Sequence, residues 1–170
     1  MTPDHVKSIQ DSFAKVRPIA NTAAALFYNR LFEIAPEVRP LFRGDMTEQG
    51  RKLMKVLTIV VNGLGNLDSI LPAASALAKS HVAYGVRPIH YTPVGEALLW
   101  ALERSLGSEW TPDLQSAWSA AYATLSNFMI GEAYRREAAA ESVGVGCCPR
   151  ATTGHAAAPP SAAMNTRRFG

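Results

Sequence analysis

A chain of 170 residues with 48% apolar content is long enough for one sizeable core and too short for two ordinary domains. Its formal charge of +3 gathers at one end: residues 138–170 hold Arg150, Arg167 and Arg168 against Glu141, leaving 14 basic and 13 acidic residues in the first 137. That near-neutral body has no basic stripe, which excludes nucleic acid as an expected partner. No run approaches the ~18 uninterrupted apolar residues of a membrane span.

Thr2-Pro3-Asp4 reads as an N-cap, a first-turn proline and a first-turn acid, with no apolar run ahead of it, so no secretory leader is expected. Strand-like alternation is absent, and starts and stops divide the body into helices. The first runs from Pro3 to about Arg17 with Val6, Ile9 and Phe13 inward, and Pro18 interrupts it. The second carries Leu26, Phe27, Arg30, Leu31 and Ile34. A short helical turn opens at Pro36 and closes near Phe42. A longer helix from about Met46 to Leu64 sets Leu53, Val56, Leu57 and Val60 on one side.

Asn62-Gly63-Leu64-Gly65-Asn66 marks a corner; with no strand before it, its glycines do not fit a phosphate-binding loop. A small-residue helix follows from Leu71 toward Gly85, with Ala74, Leu77 and His81 on one face. Two more open at Thr92-Pro93 and Thr111-Pro112-Asp113, where a threonine cap followed by proline satisfies the helix-start rule. The last shows Leu114, Trp118, Ala121, Tyr122, Leu125 and Met129 at spacings of three and four. Six or seven helices with short connections and no sheet imply an all-α single domain over residues 1–137. Residues 138–170 are rich in Ala, Gly, Pro, Ser and Thr and nearly devoid of large apolar side chains. Such a composition buries too little to offset its ordering entropy, so a disordered, low-complexity tail is expected. Cys147 and Cys148 are adjacent there. Neighbouring Cα atoms lie ~3.8 Å apart, below the usual disulfide range, so the pair reads as free thiols in a cytoplasmic protein.

Chemistry concentrates around His81. Of the four histidines, His5 lies in a first helical turn, His155 in the tail and His90 in a corner, where a hydrogen-bonding role is expected. His81 alone sits mid-helix on an apolar face. Taken alone, such an imidazole reads more readily as a satisfied core histidine than as a metal ligand. Three upstream features change that balance: Phe27-Tyr28, Pro36-Glu-Val-Arg-Pro-Leu-Phe42 and Glu48-Gln49-Gly-Arg-Lys-Leu53. With the string Gly85-Val86, His90-Tyr91 and Val94-Gly95 and the pair Trp118 and Tyr122, their order and separation resemble the globin family. The resemblance covers about residues 1–136 and is nearest to bacterial single-domain haemoglobins of the flavohaemoglobin and neuroglobin-like branch.

The resemblance implies a globin fold of six to seven helices around a haem pocket, with one haem b per chain. Haem iron needs one strong neutral nitrogen ligand, which His81 would supply while the sixth site stays open. The cysteines are not followed by the histidine that thioether attachment requires. Phe42 stands where globins stack an aromatic ring on the porphyrin, a role compatible with an ordinary core phenylalanine. Leu53, Val56, Val86 and Val94 would supply dry walls. Lys52, three positions after Gln49, and Ser80, beside His81, would meet a propionate; a solvated lysine and a helix serine are the plainer readings.

Tyr28 and Gln49 occupy the positions where this family places hydrogen-bond donors to bound dioxygen, which carries partial negative charge. The plainer reading of Tyr28 is a buried phenol bonded to backbone. Tyr91 matches the tyrosine that accompanies the ligating histidine in the flavohaemoglobin branch. Glu132 is the candidate for the accompanying glutamate, but it lies one residue too close to Trp118. A one-residue slip turns a helix by ~100° and puts Ala133 in the expected place.

Two functions share all of these residues. One is nitric oxide dioxygenation, in which nitric oxide and dioxygen give nitrate and a separate reductase restores ferrous iron. The other is high-affinity oxygen binding, storage or scavenging without turnover. A haem-free sensory domain on the same fold is a third reading, which the presence of His81 disfavours. The expected partners are dioxygen, nitric oxide, carbon monoxide and a separate reductase.

Overall fold

The computed structural model describes residues 2–141, with side chains through Tyr134. Every regular element among the described residues is helical. The six helices are α1 (Pro3–Val16), α2 (Ala20–Ile34), α3 (Met46–Gly63), α4 (Leu67–Ala83), α5 (Tyr91–Leu106) and α6 (Pro112–Glu141). Tight 3-10 turns at Arg17–Ile19, Pro36–Leu41, Pro88–His90 and Gly107–Glu109 join them. None of the described helices is long and apolar enough to cross a membrane.

Helix starts follow side-chain capping, which satisfies amide groups that have no intrahelical partner. Thr2 accepts the His5 N–H at 3.3 Å, Asp45 accepts the Thr47 N–H at 2.9 Å, and Thr111 accepts the Leu114 N–H at 3.2 Å. Thr92 does not act this way. The turn at Pro88–His90 has already rotated the chain into helix, so α5 begins at Tyr91 and Thr92 is its second residue. Helix α4 also opens earlier than expected, at Leu67, with Pro72 inside it. Proline removes one N–H, and the carbonyl it would have met belongs to Asp68, an exposed residue in the first turn. Helix α6 continues to Glu141, past the expected boundary at 137. The rest of the expected tail, with Cys147, Cys148 and His155, lies outside the described residues.

The main core lies between α1, α2, α5 and α6, where Ile9, Phe13, Val16, Phe27, Leu31, Leu98, Leu102 and Trp118 are buried. Each such side chain contributes ~1.5–3 kcal/mol when withdrawn from water. The Trp118 indole N–H donates to Ser12 Oγ at 3.1 Å, and that hydroxyl donates to the Ile9 carbonyl at 2.9 Å, so the polar pair is satisfied inside the core. A second, smaller cluster joins α4, the start of α5 and the far end of α6. It consists of Ala78, Tyr91 and Met129, with Leu77, Val86, Phe128 and Ala133 packed around them.

Candidate functional site

Helix α2 brings Tyr28 to a buried position at the side of α3. Three phenylalanines hold its ring: Phe27 at 4.9 Å, Phe42 at 5.4 Å and Phe32 at 5.9 Å between centroids. The first two meet it edge-on, the arrangement that aromatic quadrupoles favour. Arg39 covers the outer face of Phe32 at 4.9 Å. The Tyr28 hydroxyl donates to the backbone carbonyl of Gln49 at 3.2 Å, so it is bonded to backbone in this structure. Burial pushes its phenol up to about 12, which keeps it a protonated donor at neutral pH. Gln49, Leu53 and Val56 are half-buried along α3, whereas Lys52 is exposed.

His81 is half-buried on α4, and burial lowers its imidazole below the usual histidine range, which favours the neutral ring. Its Nδ1 lies 3.2 Å from the Tyr91 hydroxyl, with the two rings 5.9 Å apart and tilted by 63°. That contact occupies one ring nitrogen and leaves Nε2 to act as a ligand. Tyr91 is fixed in turn. The Tyr122 hydroxyl donates to its carbonyl at 2.6 Å, and Tyr134 donates to the carbonyl of Val86. The first of these bonds depends on Gly95, since a Cβ there would lie 2.5 Å from Tyr122 Cε1. Burial and then the neighbouring Tyr134 phenol raise Tyr91 to about 12.

Gly85 closes α4 with a φ of +82°, and the chain folds back so that the Val86 N–H meets the His81 carbonyl at 2.9 Å. A Cβ at Gly85 would lie 3.7 Å from Leu41 Cδ2, so the Pro36–Leu41 turn, which leads into Phe42, also reaches the end of the His81 helix. His90 is buried, and its Nδ1 accepts the Arg87 N–H at 3.1 Å, a hydrogen-bonding role at the corner.

The structure thus groups Tyr28, Phe42 and Gln49 on one side and His81, Tyr91 and Val86 on the other, with Val94 half-buried against the main core. It leaves three candidates at the surface. Lys52 and Glu132 are exposed, and Ser80 is exposed with its hydroxyl donating to the Ala76 carbonyl at 3.0 Å. Ala133, not Glu132, faces the small cluster around Tyr91, as the one-residue shortfall from Trp118 implies. Tyr134 and Gly95 are further positioning residues that the sequence reading does not assign to the site. Tyr134 falls one position beyond the inward series Leu125, Met129 and Ala133, so periodicity does not select it. For Gly95, the available signal is its fixed spacing from Tyr91 and the match to Tyr122.

Among the described residues no three His, Cys, Asp or Glu side chains converge to hold a bare metal ion. The haem that the globin resemblance implies brings most of its iron's ligands in its own flat macrocycle and asks the protein for one strong nitrogen. The half-buried His81 imidazole could supply one nitrogen ligand to such a group, and half-buried Phe42, Leu53, Val56 and Val86 are apolar side chains of the kind that would line it. Fold and site together define an all-helical protein in which His81 is half-buried beside Tyr91. The chain belongs to the globin family, whose model, described as Globin, matches residues 25–129.

The chain is 30% identical over 131 residues to a flavohemoprotein of Bacillus subtilis, covering 74% of this chain and 32% of that protein. It is 34% identical over 119 residues to a flavohemoprotein of Bordetella parapertussis, covering 68% of this chain and 30% of that one. It therefore spans about a third of the length of these curated relatives. A bacterial globin from Campylobacter jejuni superposes with a TM-score of 0.71 at 25% identity, covering 81% of this chain and 99% of that one. An engineered carbene transferase from Rhodothermus marinus, provisionally assigned as a nitric oxide dioxygenase, gives 0.74 at 26% identity, with 83% and 99% covered.

Proposed function

We propose that this chain holds one haem b through His81 Nε2 and binds dioxygen on the side of Tyr28 and Gln49. It uses that dioxygen to oxidise nitric oxide to nitrate, with electrons from a separate reductase. The observation that carries the reading is the half-buried His81 imidazole, whose Nδ1 lies 3.2 Å from the Tyr91 hydroxyl, together with the three-phenylalanine cluster that holds the Tyr28 ring. Membership of a haem-binding family and the names of the flavohemoprotein relatives support it.

Bound haem would supply a ferrous centre that gives one electron as nitric oxide and dioxygen combine to nitrate. The protein's own residues do the rest. Tyr91 fixes the plane of the His81 ring. Phe42, Leu53, Val56, Val86 and Val94 exclude water from the macrocycle, while Lys52 and Ser80 stand at the surface to meet its carboxylates. The Tyr28 phenol, protonated because burial raises it to about 12, turns from the Gln49 carbonyl toward a charged ligand, and the Gln49 amide provides a second donor. A hydrogen bond to a charged acceptor contributes ~1.5–3 kcal/mol, enough to slow ligand release by about tenfold or more.

A second reading, oxygen binding without turnover, draws support from the exposed position of Glu132. A neutral phenol at Nδ1 polarises the imidazole less than a carboxylate does, which weakens the drive toward oxygen activation. The deciding experiment records ferric, ferrous and oxygenated spectra of purified protein and then adds nitric oxide to the oxygenated form. Stoichiometric nitrate with conversion to ferric iron supports the dioxygenase; a chain without haem absorption sinks both readings.

A further inference from the structure

We infer that the space between the end of α3, the start of α4 and the middle of α6 is a binding site for one small uncharged hydrocarbon, about a single aromatic ring in size. It lies outside the function proposed above, because none of the residues lining it is among the haem contacts named there.

The cavity follows from residue size. Helices α4 and α6 share a seam, and at its His81 end that seam is filled, with Ala78, Tyr91 and Met129 buried and Leu77 and Phe128 packed against them. Toward the other end each helix contributes a buried alanine to the lining, Ala74 from α4 and Ala121 from α6. Two methyl groups do not close the gap, and a cavity of about 110 Å³ remains, bordered also by buried Leu64 and Ile70. Folded interiors seldom leave a void larger than a water molecule, and an empty one costs stability in proportion to its volume.

Water is a poor occupant. The volume is severalfold what one water molecule needs, but a buried water requires two to four polar partners. The wall here presents only apolar surface. Thr124 is the one polar side chain in the lining, and its hydroxyl turns back to donate to the Ala120 carbonyl at 2.8 Å. With no polar group to meet a charge, a charged ligand is excluded as well. Size then selects among apolar molecules. A dry cavity of about 150 Å³ holds benzene. At about 110 Å³ this one suits a single six-membered ring and rejects two fused rings. Phe128 in the wall gives such a ring an aromatic partner.

The way in is marked by Leu67 and Leu71, one helical turn apart on α4. Both line the cavity, yet they are 38% and 37% exposed, so apolar surface leads from solvent into it. The first turn of α4 has no side-chain cap at Asn66, and Pro72 lacks the N–H that would bind the Asp68 carbonyl. Fewer bonds therefore oppose the small opening that entry requires.

The test uses the full, haem-loaded chain with benzene as the probe, followed by saturation-transfer NMR and thermal unfolding. Benzene should bind with a dissociation constant of about 1 mM, and about 5 mM of it should raise the melting temperature by about 2–4 °C. Ala74→Leu places a larger side chain in the cavity. It should weaken binding by about tenfold or more without lowering the melting temperature, and Ala74→Val should do so less. Ala121→Val fills the same space from α6 and replaces Ala74→Leu if that variant does not fold. Ala76→Leu, exposed on the same helix, should bind as wild type does. Naphthalene, too large, and benzoate, charged, should not compete. Carbon monoxide binding should be unchanged by benzene, which separates this cavity from the haem site. The inference is overturned if benzene does not bind, if the cavity-filling variants bind it as Ala76→Leu does, or if benzoate competes. It is equally overturned if carbon monoxide and benzene exclude one another, or if benzene binds only after dilution frees a mouth covered by a second copy. A chain that binds benzene in this way but shows no haem absorption sinks the proposed function alone.

Discussion

The surroundings of Tyr28 and of His81 are built by different means. Around Tyr28 the ring is held by three phenylalanines, and its single polar bond runs to the Gln49 carbonyl. Around His81 the positions are set by phenols bonded to main chain, Tyr122 to Tyr91 and Tyr134 to Val86, with a third phenol at the imidazole itself. Packing fixes where a ring lies but leaves a hydroxyl free to turn, whereas a hydrogen bond fixes direction. A ligand-sensing group must change partner and a metal ligand must not. The contrast matches those two demands.

The largest expected effect tests the imidazole side. His81→Ala should abolish haem retention through purification, measured as haem per chain, while His90→Ala should retain haem because its Nδ1 serves only the corner. Next comes the packed side. Tyr28→Phe should accelerate oxygen dissociation by about ten- to a hundredfold while leaving carbon monoxide release nearly unchanged. Combined with Gln49→Leu the effects should be non-additive, since both donors share one acceptor. Equal changes for both gases would reduce Tyr28 to a packing residue.

A smaller effect is expected from Tyr91→Phe, which removes the partner of His81 Nδ1. Haem loss to an apoprotein acceptor should quicken by about tenfold and the iron–histidine stretching band should shift, with Glu132→Gln showing neither change. The smallest effect is on stability with pH. Burial raises Tyr28 and Tyr91 to about 12 in the folded chain, against about 10 when unfolded. Their protonated forms therefore contribute stability that is fully present below pH 10 and lost as pH rises toward 12. Denaturant unfolding across that window should show the decline, and Tyr28→Phe should flatten it.

Much of the architecture is legible in the sequence because it rests on local rules. Thr2-Pro3 and Thr111-Pro112 mark starts that capping determines, and Gly85, at a φ of +82°, marks an end that backbone freedom determines. The start of α4 is harder to read, since Leu67, Asp68 and Ser69 carry no cap of their own and Pro72 imitates a first turn. The site divides along the same line. His81, Tyr28 and Phe42 stand out by residue type and order. Whether Glu132 or Ala133 faces inward, and that Tyr134 reaches Val86, depends on how a 30-residue helix is rotated against α4. Rotation is set by tertiary packing, which no local rule contains.

The bond from Tyr28 to the Gln49 carbonyl has a consequence for selectivity. Because the phenol already has an acceptor, an arriving diatomic molecule does not meet an idle donor. It must outbid a main-chain oxygen, and what it gains is the difference between two hydrogen bonds. A ligand that draws negative charge onto itself wins that contest, and a neutral one leaves the phenol where it was. Under the proposed function, the carbonyl of residue 49 would set a threshold, turning a general donor into one that answers only to charge.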